Sequence, residues 1–188
     1  MLDLGPCRAL RHEGDPDRCV VLLPGQRYPT RAPLLRFARE AAAQRGWSAL
    51  EVLDELPEGE EPVGWARDRA ERALDAAAAP RLAVIGKSLA SVTAGIVADR
   101  DLPAVWLTPL LVHAEAVEGL ARVRQPTLLV GSSSDQTWAG GSVPDNPRLE
   151  VFQLEGLDHS LQVAGDTTAS LDSLREVTNR VGSFLHRL

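Results

Sequence analysis

Four apolar residues, Leu82 to Ile85, run straight into Gly86-Lys87-Ser88-Leu89-Ala90, and Val92 to Ala98 continue with the residue types of a helix. The apolar run reads as a buried strand. A chain that leaves a strand and enters a helix within a few residues must turn sharply, so the strand end and the first helical turn nearly touch. The positions two before and two after the apex must then be small. Gly86 meets that demand fully, and Ala90 meets it with one methyl. Ser88 is left at the apex.

The same residues admit two other readings. Gly86-Lys87-Ser88 could close a phosphate-binding loop, G-x-x-x-x-G-K-[ST]. The first glycine of that motif would fall on Arg81, and the residues between are the strand itself, which cannot cradle a phosphate with its amides. An ordinary strand-to-helix turn is the other reading, and residues elsewhere in the chain have to decide against it.

Composition narrows the field. A chain of 188 residues can bury a sizeable core and reads as one domain spanning 1–188. A net charge of -6 argues against a nucleic-acid partner, which calls for a basic face. Lys87 is the only lysine, every other basic residue being arginine, which reads as coding bias. No run is long or apolar enough to span a membrane. Met1 to Gly14 has no hydrophobic signal core, so the expected location is cytoplasmic. Cys7 and Cys19 form no metal-type cluster and are expected as free thiols, a disulfide between them being the alternative. Nothing in the chain calls for a metal or a cofactor, and the oligomeric state is not legible.

Taken in order, the chain alternates strands and helices. Leu4 to His12 holds an edge strand, and Glu13 to Asp17 is a turn. Cys19–Leu23 is a buried strand and Pro24–Pro29 the loop that ends it. Thr30 is placed to cap a helix over Leu34–Gln44, which Gly46 stops. Trp47–Leu53 is a strand, Asp54–Pro62 an acidic loop and Val63–Ala79 a helix. After Ser88 and its helix come a strand Pro103–Leu107, a helix His113–Val123 and a strand Pro126–Val130. Trp138–Pro147 reads as irregular, Arg148–Leu154 as the last strand, and Ser170–Leu188 as a closing helix with apolar residues three and four apart. Such alternation implies an α/β three-layer sandwich, a mostly parallel sheet with helices on both faces. In sheets of that kind reactive groups gather beyond the carboxyl ends of the strands. Those ends are Gly25 to Tyr28, Ser88, Thr108-Pro109, Asp135 and His159.

A serine hydroxyl is a poor nucleophile near neutral pH. It needs a base within hydrogen-bond reach, and the base needs an acid to hold its tautomer. His159, in Gly156-Leu157-Asp158-His159-Ser160-Leu161, is the histidine placed for the first role. Among the remaining histidines, His12 reads as part of a surface turn, His113 as near a helix start and His186 as part of the last helical turn. For the acid, Asp135 at a strand end is preferred over Asp158, which adjoins His159, and over Asp145 in an irregular loop.

The order Ser88, Asp135, His159, with the first of these at a nucleophile elbow, resembles the α/β-hydrolases. The likeness runs from Val20 to Leu185 and is closest to small capless members of the dienelactone-hydrolase and esterase kind. Gly131 to Asp135 is similar to that family's acid loop. The resemblance implies an oxyanion hole made by the amides of Leu89 and Gln26, with Gly25 giving backbone room. Tyr28, Thr108 and Trp138 are candidate substrate-binding residues, and Trp106 is expected in the core. Lys87, the variable position of the elbow, need not touch substrate. No insertion between Leu107 and His113 could form a lid, so the site is expected to be open and to suit small or accessible carboxylic esters. A thioesterase or peptidase with the same triad stays open, as does a non-catalytic binding protein on the same fold.

Overall fold

The computed structural model describes residues 1–188. Eight strands form one sheet: β1 (Leu2–Asp3), β2 (Arg8–His12), β3 (Asp15–Leu23), β4 (Trp47–Val52), β5 (Arg81–Lys87), β6 (Ala104–Leu107), β7 (Thr127–Ser132) and β8 (Leu149–Leu154). Their spatial order is β1-β2-β4-β3-β5-β6-β7-β8. Strands β4 to β8 and β3 run parallel, while β1 and β2 form an antiparallel flank against β4. The helices are α1 (Pro33–Ala43), α2 (Pro62–Ala76), α3 (Ala94–Asp99), α4 (Ala114–Ala121), α5 (Gln136–Ala139) and α6 (Thr167–His186).

The period of two along each strand divides the core in half. Val21, Leu23, Val84, Trp106 and Leu129 face α2, α3 and α4. Their neighbours Val20, Leu22, Ile85, Val105 and Val130 face α1 and α6, where Leu35, Val181 and Phe184 meet them. The parallel strands are covered on both faces, which is why they read as unbroken apolar runs rather than alternating ones. Cys7 and Cys19 are buried free thiols in the first half, and burial pushes the Cys7 thiol up to about 11.

Several local expectations need correction. The strand expected within Leu4–His12 is β2, but it is second in the sheet, with β1 (Leu2–Asp3) outside it at the edge; the expected turn at Glu13–Asp17 is largely taken into β3, with a register irregularity between Asp15 and Cys19. Thr30 does not cap α1: its hydroxyl donates to the Val52 carbonyl, and the Tyr28 hydroxyl accepts the Leu34 amide instead. Pro33 fits the first turn because its missing N–H is one that would have no partner there. Between β5 and α3 the chain first forms a 3-10 helix, Ser88–Thr93. The tighter winding suits a chain still leaving the apex of a sharp turn. Asp135 caps a short helix that overlaps the start of the Trp138–Pro147 stretch expected to be irregular, by accepting the Thr137 amide. No helix is long and apolar enough to cross a membrane.

The chain runs from β3 outward to β4, back to β5, and then away through β6, β7 and β8. The carboxyl ends of β3 and β5 are therefore adjacent at the point where the winding reverses, where such sheets open a crevice.

Candidate active site

Ser88 stands at the carboxyl end of β5 with φ of 52°, a left-handed conformation that a residue with a Cβ rarely adopts. The packing around it explains the small flanking residues. A Cβ on Gly86 would lie 2.5 Å from the Trp106 ring and 2.9 Å from the Ala90 Cβ. With no Cβ at 86, the methyl of Ala90 fits. One of the pair has to be glycine, but both need not be.

Three side chains from separate strand ends converge. His159, in the loop between β8 and α6, has Nε2 2.7 Å from Ser88 Oγ and Nδ1 2.7 Å from Asp135 Oδ2. A carboxylate oxygen only accepts, so Nδ1 carries the proton and donates it to Asp135. Nε2 is then left with a lone pair facing the serine hydroxyl, which donates to it. Asp135 is 3% exposed, so this carboxylate is shielded from bulk water. Of the other carboxylates weighed, Asp158 accepts the amides of Ser160 and Gln162 and folds the histidine loop on itself. Asp145 makes no bond to His159.

Thr137 was not legible as part of this chain of bonds. Its amide and hydroxyl both donate to Asp135 Oδ1, at 2.9 and 2.8 Å, and the same hydroxyl oxygen lies 3.1 Å from His159 Nδ1. Its single proton goes to the carboxylate, so towards the imidazole it can only accept. Oδ1 is thus fully occupied, and Oδ2 is left for the histidine. The sequence signal was available in part: aspartate is a favoured helix N-cap residue, and such a cap accepts an amide two or three residues on, here that of Thr137.

Gly25 lies directly against the elbow. A Cβ there would come 3.0 Å from the Lys87 carbonyl oxygen and 3.4 Å from the Ser88 Cβ. Gly25 and Tyr28 exchange backbone hydrogen bonds around a two-residue turn, Gln26-Arg27, with Arg27 at φ 54°. Gln26 at the turn's tip donates to no other backbone group. On the other side, Leu89 lies in the first turn of the 3-10 helix, where the first amides have no intrahelical acceptor. Two amides are therefore unengaged on either side of Ser88.

The remaining candidates lie elsewhere in the packing. Trp138 is buried over Gly131 and its indole N–H donates to Gln153. Thr108, at φ 46°, is fully buried with its hydroxyl unpartnered and its amide donating to Val130. Neither offers surface to an incoming molecule. Tyr28 is half-buried, with its hydroxyl on α1 and its ring beneath the Lys87 ammonium, 4.6 Å from the ring centre. Trp106 is core. His12 bonds Glu51 and Arg39 at the other end of the sheet, and His113 precedes α4. A cavity of about 400 Å³ flanks the histidine loop, lined among others by Leu34, Asp158, Ser160, Leu161 and Leu174. A second, of about 320 Å³, lies between Gln26-Arg27 and the acidic loop at Leu56–Glu60.

A central serine elbow, with a buried aspartate and a histidine supplied from later strand ends of a mostly parallel sheet, defines the α/β-hydrolase fold, here without a lid inserted between β6 and α4. Solved structures bear out the fold. The chain is similar to Est1E from Butyrivibrio proteoclasticus, seen with ferulic acid bound, at a TM-score of 0.74 and 13% identity, over 96% of this chain and 94% of that one. It is similar to a monoacylglycerol lipase from Paleococcus ferrophilus, at 0.68 and 11%, over 95% and 99%. It is also similar to a lidless α/β serine hydrolase from Xanthomonas campestris, at 0.69 and 11%, over 96% and 88%. No protein-family model matches the chain, and no curated protein matches it by sequence.

Proposed function

We propose that the protein is a serine hydrolase acting on carboxylic esters through an acyl-enzyme intermediate. The observation that carries this is the unbroken line from Ser88 Oγ through the His159 imidazole to Asp135, with 2.7 Å at each step. Nε2 takes the Ser88 proton as Oγ attacks the ester carbonyl. Asp135 holds the tautomer and stabilises the imidazolium that forms. The amides of Leu89 and Gln26 receive the developing oxyanion, helped by the start of the helix that follows. The imidazolium then returns its proton to the leaving alkoxide. Water, deprotonated by His159, attacks the acyl-serine and frees the acid. Small or accessible esters suit a site with no lid over it. The lipase and the serine hydrolase among proteins of similar fold support the reaction class, though not the choice of ester.

A fluorophosphonate probe should label the folded protein at Ser88 alone, and Ser88→Ala should abolish both labelling and hydrolysis of p-nitrophenyl acetate. Absence of labelling, with Ser88→Ala indistinguishable from wild type on that ester, would refute the reading. Thioester and amide analogues run beside the ester decide the preferred acyl bond.

A further inference from the structure

The single lysine of the chain lies next to Ser88. Its side chain turns inward, and Lys87 is 2% exposed. A long cationic side chain so deeply buried is uncommon, and burial costs a charge its hydration. The surroundings offset that cost from four directions. The ammonium donates to the backbone carbonyl of His159 at 3.1 Å. It stands 4.6 Å above the Tyr28 ring. The Asp135 and Asp158 carboxylates act on it electrostatically, favouring its charged form, although burial outweighs them and brings it from its ordinary 10.5 down to about 8. Its stem passes beside Gly25, where a Cβ would come within 3.3 Å of Lys87 Cδ.

We propose that Lys87 is a positioning residue for the site: its ammonium tethers the backbone of His159 and stands over the ring of Tyr28 at the end of the Gly25–Tyr28 turn, so one side chain spaces base and oxyanion loop around the nucleophile. This rests on the acyl-transfer reading of Ser88 and His159. The physical need is clear. His159 comes from the long β8–α6 loop, which the Asp158 turn folds on itself and the Leu157 amide anchors to Ser132 on β7, leaving its tie to β5 to Lys87. The proton transfer tolerates little displacement of Nε2, and a bond from Lys87 ties that loop to the same backbone that holds Ser88. Arginine, used everywhere else in this chain, would bring a planar fork too large for one carbonyl and one ring. An ammonium on a flexible stem fits both.

The test compares wild type, Lys87→Met and Lys87→Ala on p-nitrophenyl acetate, with thermal unfolding followed in parallel. Lys87→Met should lower kcat about 10- to 100-fold with KM within about twofold, the pattern of a displaced base. Its Tm should be no lower, because a buried charge is removed. Lys87→Ala should lose kcat similarly and regain it several-fold with n-propylammonium but not n-propanol, in excess of any effect of the amine on wild type. Lysine-selective 13C labelling of the wild type gives one side-chain Cε signal, which should shift when Ser88 is phosphonylated. A Lys87→Met enzyme within twofold of wild-type kcat, or a Cε signal unmoved by phosphonylation, overturns the proposal while leaving the triad intact. A wild type that neither labels nor hydrolyses overturns both.

Discussion

Asp135→Asn changes one atom type and should nearly extinguish catalysis. Asp135 Oδ1 receives the Thr137 amide and hydroxyl, and Oδ2 receives the His159 Nδ1 proton. Asparagine has one acceptor oxygen and one NH2. The Thr137 amide cannot reorient, so the oxygen stays on that side and the NH2 faces Nδ1. Two donors cannot face each other, so the imidazole moves its proton to Nε2. Nε2 then donates to Ser88 and cannot take its proton. General-base assistance contributes about 10²- to 10⁴-fold, and with the imidazolium also left unstabilised the expected loss in kcat is about 10³- to 10⁴-fold. At about 1.4 kcal/mol per decade this is roughly 4 to 5.5 kcal/mol of transition-state stabilisation. Stability should hardly respond, because asparagine caps the helix about as well as aspartate. Stopped-flow hydrolysis of p-nitrophenyl acetate, the rate of fluorophosphonate labelling and thermal unfolding measure all three. An Asp135→Asn enzyme within tenfold of wild type, with unchanged Tm, would refute the tautomer argument.

Thr137→Val leaves the amide on Asp135 but removes the hydroxyl, so kcat should fall by up to about tenfold, roughly 1.4 kcal/mol; an unchanged kcat would make the hydroxyl a bystander. Gly86→Ala drives a methyl into Trp106 and Ala90. It should cost about 1–3 kcal/mol or more in urea unfolding, and an unchanged midpoint would contradict the elbow packing. Lys87 loses its proton near pH 8 in the folded protein but near 10.5 when unfolded. Its burial penalty is therefore fully present below about 8 and is relieved as pH rises to about 10.5, since the unfolded chain binds the extra proton in that window. The stability of wild type relative to Lys87→Met should rise by roughly 3 kcal/mol across it, and a flat difference curve would contradict the burial.

How much of this was legible follows from the range of each interaction. The elbow was, because strand, glycine, serine and helix are neighbours in sequence and their steric demands act within a few residues. The parallel core strands were, because burial on both faces leaves an unbroken apolar run. Helix ends were less so. Thr30 sits where a cap belongs, yet Val52, from a strand formed later in the chain, takes its hydroxyl. Trp138 looked like a pocket aromatic and is core, since nothing local announces that Gly131 leaves it a seat.

Residue order alone picked out a serine, an aspartate and a histidine at strand ends, since the types needed for proton transfer are few and the ends are marked by where apolar runs stop. Only the folded sheet brought His159 to Ser88 across 71 residues of chain and to Asp135 across 24. It alone buried the single lysine behind them and set Thr137 beneath the carboxylate. Those contacts depend on strand order and on which face each side chain meets, and these are settled by packing across the whole sheet rather than by any stretch of it.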